Sequence, residues 1–130
     1  MAKDENLIVG RMLIGGEFVE SEGGGWIDTI NPANERLIGR VPDGNAADVA
    51  RAVEAAAKAQ KDWAALDMAE RADLLNRLGD AIMERAGEIA RLEAIDTGNT
   101  IGKMRADVEK SVERIRRAAG LGLELKGETI

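Results

Sequence analysis

The chain has 130 residues and a formal net charge of −6, with 45% hydrophobic and 32% charged residues, values typical of one globular domain. The acidic balance argues against nucleic acid or an anionic membrane surface as a partner. His and Cys do not occur, which excludes zinc sites built on those ligands, disulfides, thiol catalysis and imidazole acid–base chemistry within these residues.

The N-terminal residues, 1–10, are mostly polar, and we expect them to form a flexible N-terminus. No apolar run at this end has the length of a signal peptide, and no segment approaches the length of a membrane span. We therefore expect a cytoplasmic location and no membrane partner.

The sequence predicts two β-hairpins within residues 11–42. In the first hairpin, Gly15-Gly16 supplies the positive φ angles of a tight two-residue turn between the apolar segments 12–14 and 17–20. The glycine-rich residues that follow, 21–25, predict a flexible connection to the second hairpin.

The second hairpin is predicted from extended segments at 26–30 and 35–41 on either side of Asn31-Pro32-Ala33-Asn34. Pro32 fixes its own φ angle, and Asn34 tolerates the left-handed backbone conformation. The chain is therefore expected to reverse direction at this turn.

Residues 45–123 predict four amphipathic helices. The first begins after Asn45, whose side chain can cap the helix, and Asp48 lies in its first turn, where a carboxylate is favourable. An apolar stripe at three- and four-residue spacing follows in this first helix and consists of Val49, Ala52, Val53, Ala56, Ala59 and Trp63. The second helix begins with a capping box over residues 67–70.

Gly87 predicts the break between the second and third helices, and Gly98 lies where a helix C-terminal glycine is expected. The fourth helix is predicted to begin near Thr100, and the last residues, 126–130, to begin a strand. The apolar stripe of the fourth helix consists of Met104, Val108, Val112, Ile115 and Ala119.

Two short motifs resemble enzyme signatures but have simpler interpretations. Asp96-Thr97-Gly98 in isolation indicates an aspartic protease, yet that motif belongs in an all-β context, and here it directly follows a helical stripe. Gly120-Leu121-Gly122 ends a helix rather than opening one, and residue 125 is Leu, so it is not a dinucleotide-binding fingerprint. We interpret both motifs as helix ends.

Several motifs occur together in a recognisable order. They are Ile14-Gly15-Gly16-Glu17-Phe18-Val19, Ile30-Asn31-Pro32-Ala33-Asn34, Trp63, Arg71, Leu74-Leu75, Leu92-Glu93-Ala94-Ile95-Asp96-Thr97-Gly98, Ala119-Gly120 and Gly127-Glu128-Thr129-Ile130. Each motif alone is weak, but in this order and at this spacing the chain resembles the N-terminal end of the aldehyde dehydrogenase superfamily over almost its whole length.

The resemblance implies an α/β fold in the parent family. Within it, residues 11–130 would form an incomplete, mainly α-helical part of the cofactor-binding domain with two N-terminal β-hairpins. The implied activity is NAD(P)-dependent oxidation of an aldehyde to a carboxylic acid through a Cys thioester. NAD or NADP would be the cofactor, an aldehyde the substrate, and a dimer or tetramer the implied homo-oligomer.

No catalytic or cofactor-binding residue is assigned within the chain, because the family's nucleophilic Cys, its Glu base and its cofactor-binding units would lie beyond residue 130. We therefore expect the chain to be inactive by itself. The alternative is a free-standing helical interaction module or a pseudo-enzyme derived from the same family. The strand-like residues 126–130 favour the enzyme segment, since a self-sufficient module should end in a cap or a polar tail. By itself, the segment should expose an apolar helix face and associate or be marginally stable.

Two sites are implied by the resemblance. The backbone oxygens of Thr29 and Ile30 and the carboxylate of Asp96 match a structural site for a monovalent cation, K⁺ or Na⁺, which prefers oxygen ligands. The alternative is that Asp96 is an ordinary helix-end residue. Counting back from the fourth helix's Ala-Gly pair places Ala106 and Lys110 near the substrate entrance, where a Lys would favour an aldehyde that carries an anionic group.

Overall fold

The computed structural model of the chain describes residues 7–124, which divide into two units. The first unit consists of residues 7–62 together with Ile95–Gly98, and the second consists of residues 63–94 and 99–124. The predicted β-hairpins belong to the first unit. Each unit is described separately below.

Residues 7–124 contain five strands, and all of them lie in the first unit. They are β1 (Ile8–Val9), β2 (Met12–Ile14), β3 (Glu17–Val19), β4 (Trp26–Ile30) and β5 (Leu37–Pro42). β2 and β3 form an antiparallel ribbon, and a separate three-stranded sheet has the order β1-β5-β4. β4 pairs with β5 in antiparallel fashion, so both predicted hairpins are confirmed.

The prediction of a flexible N-terminus over residues 1–10 was wrong for its last part. β1 pairs in parallel with β5 opposite Gly39 and Arg40, and the Gly10 amide donates to the Arg40 carbonyl oxygen at 2.8 Å. A Cβ on Gly39 would overlap the carbonyl oxygen of Ile8, so the two strands can approach because residue 39 has no side chain. The first six residues lie outside the described part of the chain.

The turn between β4 and β5 forms as predicted but uses a different residue for the left-handed conformation. Glu35 has φ +57°, whereas Asn34 does not have a positive φ. Asn34 contributes through its side chain instead, since its Oδ1 accepts a hydrogen bond from the Arg36 amide at 3.1 Å. Asn31 Oδ1 likewise accepts from the Ala33 amide at 2.9 Å. Both Asn side chains thus stabilise the turn by bonding the backbone two residues on.

Four helices follow in the described residues, in agreement with the helical region predicted for 45–123. They are α1 (Ala46–Ala65), α2 (Met68–Glu84), α3 (Ala86–Thr97) and α4 (Ile101–Leu123). The predicted capping box of α2 is present, because Asp67 Oδ1 accepts from the Glu70 amide at 2.8 Å and Glu70 Oε2 accepts from the Asp67 amide at 3.0 Å. The strand predicted at 126–130 lies outside the described residues.

The break between α2 and α3 lies at Arg85 rather than at Gly87. The Arg85 amide donates to the Ile82 carbonyl oxygen at 3.1 Å, which ends α2, and Gly87 lies in the first turn of α3. The Arg85 guanidinium then bonds the carboxylate of Glu88 at 2.8 and 3.0 Å. Glu88 is well placed because a carboxylate is favoured in the first turn of a helix.

The core of the second unit lies where α2, α3 and α4 pack together. A Cβ on Gly79 of α2 would lie 3.2 Å from the Val112 side chain of α4, so the two helices approach closely at that level. The buried centre consists of Ala90, Met104 and Val108, and the half-buried side chains around it are Ile82, Ala86, Ile89 and Ala94. The predicted stripe of α4 is therefore its buried face.

Other large apolar side chains remain exposed. On α1, Val49 is 60% and Val53 63% exposed, and on the β2–β3 ribbon the paired Leu13 and Phe18 are 64% and 69% exposed. Within residues 7–124, no helix combines the length and the apolar character needed to cross a membrane.

Candidate functional site

The carboxylate of Asp48 is the centre of a hydrogen-bond network in the first unit. It lies in the first turn of α1, is 2% exposed, and accepts four hydrogen bonds. The donors are the Ser21 hydroxyl at 2.8 Å, the Glu22 amide at 3.1 Å, the Asn45 amide at 3.0 Å and the Arg51 guanidinium at 2.8 Å. Asp48 therefore joins the segment before β4 to the start of α1.

These bonds lower the pKa of Asp48 from 3.8 to about 2, chiefly through the Asn45 amide and then through the Ser21 hydroxyl. The group is therefore charged at neutral pH and its lone pairs are already used. A carboxylate in this state is suited to holding structure and not to general acid or base catalysis.

The Asp48 network corrects the prediction that residues 21–25 are a flexible connection. Ser21 is 7% exposed, and its hydroxyl also lies 2.6 Å from the Asp43 carbonyl oxygen. The sequence shows only the local part of this arrangement. Asn45 Oδ1 accepts from the Ala47 and Asp48 amides, as predicted for a helix cap.

The Asn-Pro turn and the Asp-Thr-Gly segment lie next to each other in the first unit. Gly98 ends α3 with φ +73°, as the sequence predicts for a C-terminal glycine. A Cβ on Gly98 would lie 2.9 Å from Pro32 Cγ, closer than carbon atoms normally approach. The contact between the two segments therefore requires glycine at residue 98.

The three predicted cation ligands lie on these two segments. Thr29 and Ile30 are the last residues of β4, and the ladder with β5 shifts register between them. Asp96 lies in the last turn of α3, and its side chain is exposed. Coordination of a cation by these residues stays a prediction. In the part of the chain that the structure describes, no group of three or more acidic side chains could hold a metal ion.

The two residues predicted near a substrate entrance lie one turn apart on α4. Ala106 is half-buried and Lys110 is exposed. The carboxylate of Asp107 lies between the predicted positions and bonds Lys103 Nζ at 2.6 Å. Lys103 lowers the pKa of Asp107, and Lys110 contributes to the same shift. This face of α4 therefore carries charges of both signs.

Sequence reasoning missed an open cleft in the second unit. Its volume is about 200 Å³, and its lining consists of Trp63, Met68, Arg71, Ala72, Leu75, Ala118, Ala119 and Gly122. Arg71 is one of the lining residues, and its Nε atom is itself buried with no hydrogen-bond acceptor among the residues that the structure describes. A buried donor in this state costs about 1–3 kcal/mol. The sequence signal that could have indicated it is the cationic Arg71, which lies three residues after Met68 and four before Leu75 and therefore on the same helix face.

Residues 18–130 match the family model described as the aldehyde dehydrogenase family. The chain belongs to the aldehyde dehydrogenase family. The resemblance inferred from the ordered motifs is thereby confirmed. The motifs that carried it include the Asn-Pro turn and the Asp-Thr-Gly segment, which the fold brings together.

Known aldehyde dehydrogenases resemble the chain in both sequence and structure. Lactaldehyde dehydrogenase of Escherichia coli (strain K12) is 45% identical over 98 residues, which are 75% of this chain and 20% of that protein. A crystal structure of lactaldehyde dehydrogenase from Escherichia coli has a TM-score of 0.91 at 37% identity and covers 95% of this chain and 26% of that chain. For an NAD-dependent aldehyde dehydrogenase from Sinorhizobium meliloti the TM-score is 0.89 at 30% identity, with coverage of 94% and 25%.

The chain therefore spans a fifth to a quarter of the length of these aldehyde dehydrogenases. The predicted fold class is confirmed: the segment is mostly helical with N-terminal strands, and its structural relatives are α/β enzymes.

Proposed function

We propose that this chain is the N-terminal segment of an NAD(P)-dependent aldehyde dehydrogenase that oxidises an aldehyde to a carboxylic acid. The observation that carries the proposal is the TM-score of 0.91 over 95% of the chain, together with the family match over residues 18–130. We also propose that the chain is catalytically inactive by itself, since it contains no Cys to act as the thiol nucleophile.

The segment's role in this proposal is structural. It would cover part of the cofactor-binding domain with the apolar side chains that are exposed here, which include Val49, Val53 and Phe18. Exposed apolar patches of this kind usually mark a surface that another protein segment covers. The chain alone would then associate or be marginally stable. We further propose that the complete enzyme is a cytoplasmic homo-oligomer, either a dimer or a tetramer. Sedimentation of the complete enzyme would measure the size of the oligomer.

The proposal is tested with a joined polypeptide, in which this chain is followed by the part of Escherichia coli lactaldehyde dehydrogenase that it does not cover. We expect the joined polypeptide to oxidise lactaldehyde with NAD or NADP at a kcat within about 100-fold of the parent enzyme, because a displacement of about 1 Å at the reacting groups can cost that much. The measurement is formation of the reduced cofactor. The 130-residue chain alone should show no turnover.

The matched control replaces this chain in the joined polypeptide with an unrelated helical segment, and it should be inactive. A joined polypeptide that folds but has no activity would contradict the proposed function and favour the free-standing interaction module or the pseudo-enzyme. Turnover by the 130-residue chain alone would contradict the proposed inactivity.

We propose that Thr29, Ile30 and Asp96 hold K⁺ or Na⁺ in the complete enzyme. The contact between Gly98 and Pro32 supports this, because it holds the Asp96 segment next to the turn that follows Thr29 and Ile30. KCl should raise the thermal midpoint of the joined polypeptide above that in choline chloride, and Asp96→Ala should abolish the difference. Asp28→Ala is the control, and an equal loss in that variant would refute the site.

We also propose that Ala106 and Lys110 lie near the substrate entrance. Removing one charge near a substrate anion is worth on the order of 1 kcal/mol, or about fivefold, in a solvated site. Lys110→Ala should therefore lower kcat/KM for an anionic aldehyde by about that factor and leave a neutral aldehyde unchanged. Equal effects on the two aldehydes would argue against the proposal.

A further inference from the structure

Helix α1 carries an exposed stripe of small and apolar side chains, which we call the α1 seam. Val49 and Val53 in this stripe are 60% and 63% exposed. The side of α1 that packs on the first unit is different, since Asp48 is buried and Ala52 and Ala55 are half-buried. At about 100° per residue, the two sides lie roughly 100° apart around the helix. The α1 seam consists of Ala46, Val49, Val53, Ala56 and Gln60.

The spacing of the α1 seam is that of a surface on which two helices pack. Its residues are alternately three and four positions apart, which is the repeat of the a and d positions in a coiled coil. The positions that flank the seam hold only alanines, so the axis of a second helix can approach to about 8 Å, the short end of the usual range. A helix therefore fits this surface better than an irregular segment does. The flanking alanines are Ala50, Ala52, Ala57 and Ala59.

The α1 seam is also complementary to itself in antiparallel orientation. If a two-fold axis passes through the seam at Val53, then Val53 meets Val53 of the other copy, and Val49 lies opposite Ala56. Ala46 then lies opposite Gln60 at each end, where the polar amide stays near solvent. Large residues thus face small ones, which is the arrangement in which facing helix surfaces interlock. A second copy of the chain therefore supplies a matching helix.

The charge of α1 favours the same partner. The chain has a net charge of −6, so two copies repel each other. α1 has three cations and three carboxylates and is therefore neutral. The other three helices of residues 7–124 are not neutral, since α2 has four carboxylates and two cations, α3 has three and one, and α4 has three carboxylates and six cations. Two α1 helices can therefore meet without a net electrostatic repulsion between them.

We propose that the α1 seam is a docking surface for a second copy of this chain, with the two α1 helices antiparallel about a two-fold axis at Val53. A helix of 20 residues is about 30 Å long, so the contact is smaller than the standard interface of about 800 Å² per partner, and the dimer is weak. The pairing concerns the 130-residue chain by itself. It is independent of the proposed function, in which the remaining polypeptide would cover this face of α1.

The first test is disulfide formation in single-cysteine variants of the 130-residue chain. The chain has no Cys, so each introduced thiol can form a disulfide only with the thiol of another copy. Val53→Cys places two thiols at the two-fold axis, where the Cβ atoms can come within the distance of about 4 Å that a disulfide needs. We expect its covalent dimer to form about tenfold faster or more than that of Ala47→Cys, an exposed position on the other side of α1. Equal rates would overturn the pairing.

The orientation of the two helices is tested with a mixture of two variants. Val49→Cys and Ala56→Cys should form the mixed disulfide faster than either variant forms a disulfide with itself, because these positions face each other in the antiparallel pair. Faster disulfides of each variant with itself would indicate parallel helices and would overturn the proposed arrangement.

The second test measures self-association by sedimentation as a function of protein concentration. Val53→Glu should lower the association constant by about tenfold or more, because the two-fold axis brings the two new carboxylates together. Leu13→Glu is the matched control, since Leu13 on the β2–β3 ribbon is 64% exposed and the substitution adds the same charge. It should have a much smaller effect. An equal loss in the two variants, or association that persists in Val53→Glu, would overturn the proposal.

Salt distinguishes this dimer from one that is held by opposite charges. Salt screens the repulsion between two copies of charge −6, so added NaCl should strengthen the pairing of α1 helices. A contact between the cationic α4 of one copy and the acidic α2 of another would weaken with salt instead, and that result would overturn the proposal. A chain that stays monomeric at every concentration, with no fast disulfide in Val53→Cys, would overturn it as well.

Discussion

Replacing Asp48 with alanine is expected to lower the thermal unfolding midpoint of the chain by roughly 10 °C or more. The carboxylate is 2% exposed, and alanine would remove the acceptor that four donors share at this buried position. Those donors are Ser21, Glu22, Asn45 and Arg51. The midpoint can be followed by circular dichroism at low protein concentration.

Asp80→Ala is the control for this prediction. Asp80 bonds Arg116 at 2.6 Å between α2 and α4, but both side chains are largely exposed, so its removal should change the midpoint by roughly 4 °C or less. Asp48→Asn should fall between the two, since its amide nitrogen cannot accept the bonds that one carboxylate oxygen accepts. Equal losses in Asp48→Ala and Asp80→Ala would refute the structural role of the buried network.

The same network sets a pH dependence of stability. The folded pKa of Asp48 is about 2 and its ordinary value is 3.8, so the unfolded chain binds the proton more readily. The stabilisation from Asp48 is therefore complete above pH 3.8 and is lost as the pH falls from 3.8 to about 2. In Asp48→Ala this part of the acid-induced loss should disappear, and a titration curve unchanged by the substitution would contradict the assignment.

Gly98→Val is expected to lower the free energy of unfolding by about 2–4 kcal/mol. A β-branched residue at φ +73° is strained by its own backbone, and its Cβ would also lie 2.9 Å from Pro32 Cγ. The end of α3 and the turn after β4 would both have to move. Denaturant unfolding of the chain measures the effect.

Gly24→Val separates the two causes. Gly24 has a similar φ of +67°, but no neighbouring atom lies within 4 Å of the position its Cβ would take among the described residues. It should therefore show the backbone strain alone and lose about half as much. If Gly24→Val is as destabilising as Gly98→Val, then the contact with Pro32 does not contribute.

The local features of the fold were predictable because their signals lie within a few residues. Gly15 and Gly16 have the positive φ angles that their turn requires, the capping box of α2 joins residues three apart, and Gly98 ends α3. Because only local signals can be read from the sequence, the role of Asp48 was predicted only in part. Its place in the first turn of a capped helix was evident, whereas its burial depends on Ser21 and Glu22, which lie 27 and 26 positions away.

The candidate sites also include features that the sequence indicated and features that only the packing of distant segments produced. The ordered motifs identified the family and nominated Thr29, Ile30 and Asp96 before any contact was known. Arg71 was one of the positions that pointed to the family, but the sequence gave no sign that its guanidinium Nε is buried without an acceptor among the described residues. That position results from the packing of α2 on α4, and no pattern within a single helix specifies which neighbour will cover a given side chain.

The sequence by itself determined the family, the fold class, the turns and the helix caps, since each depends on residues close together in the chain or on a characteristic order of motifs. The tertiary structure decided the pairing of β1 with β5, the burial of Asp48 and the isolation of Arg71 Nε. The physical reason is that these features need contacts between distant segments, whose free energies depend on close approach, burial and the number of hydrogen bonds made. A local pattern carries none of that information.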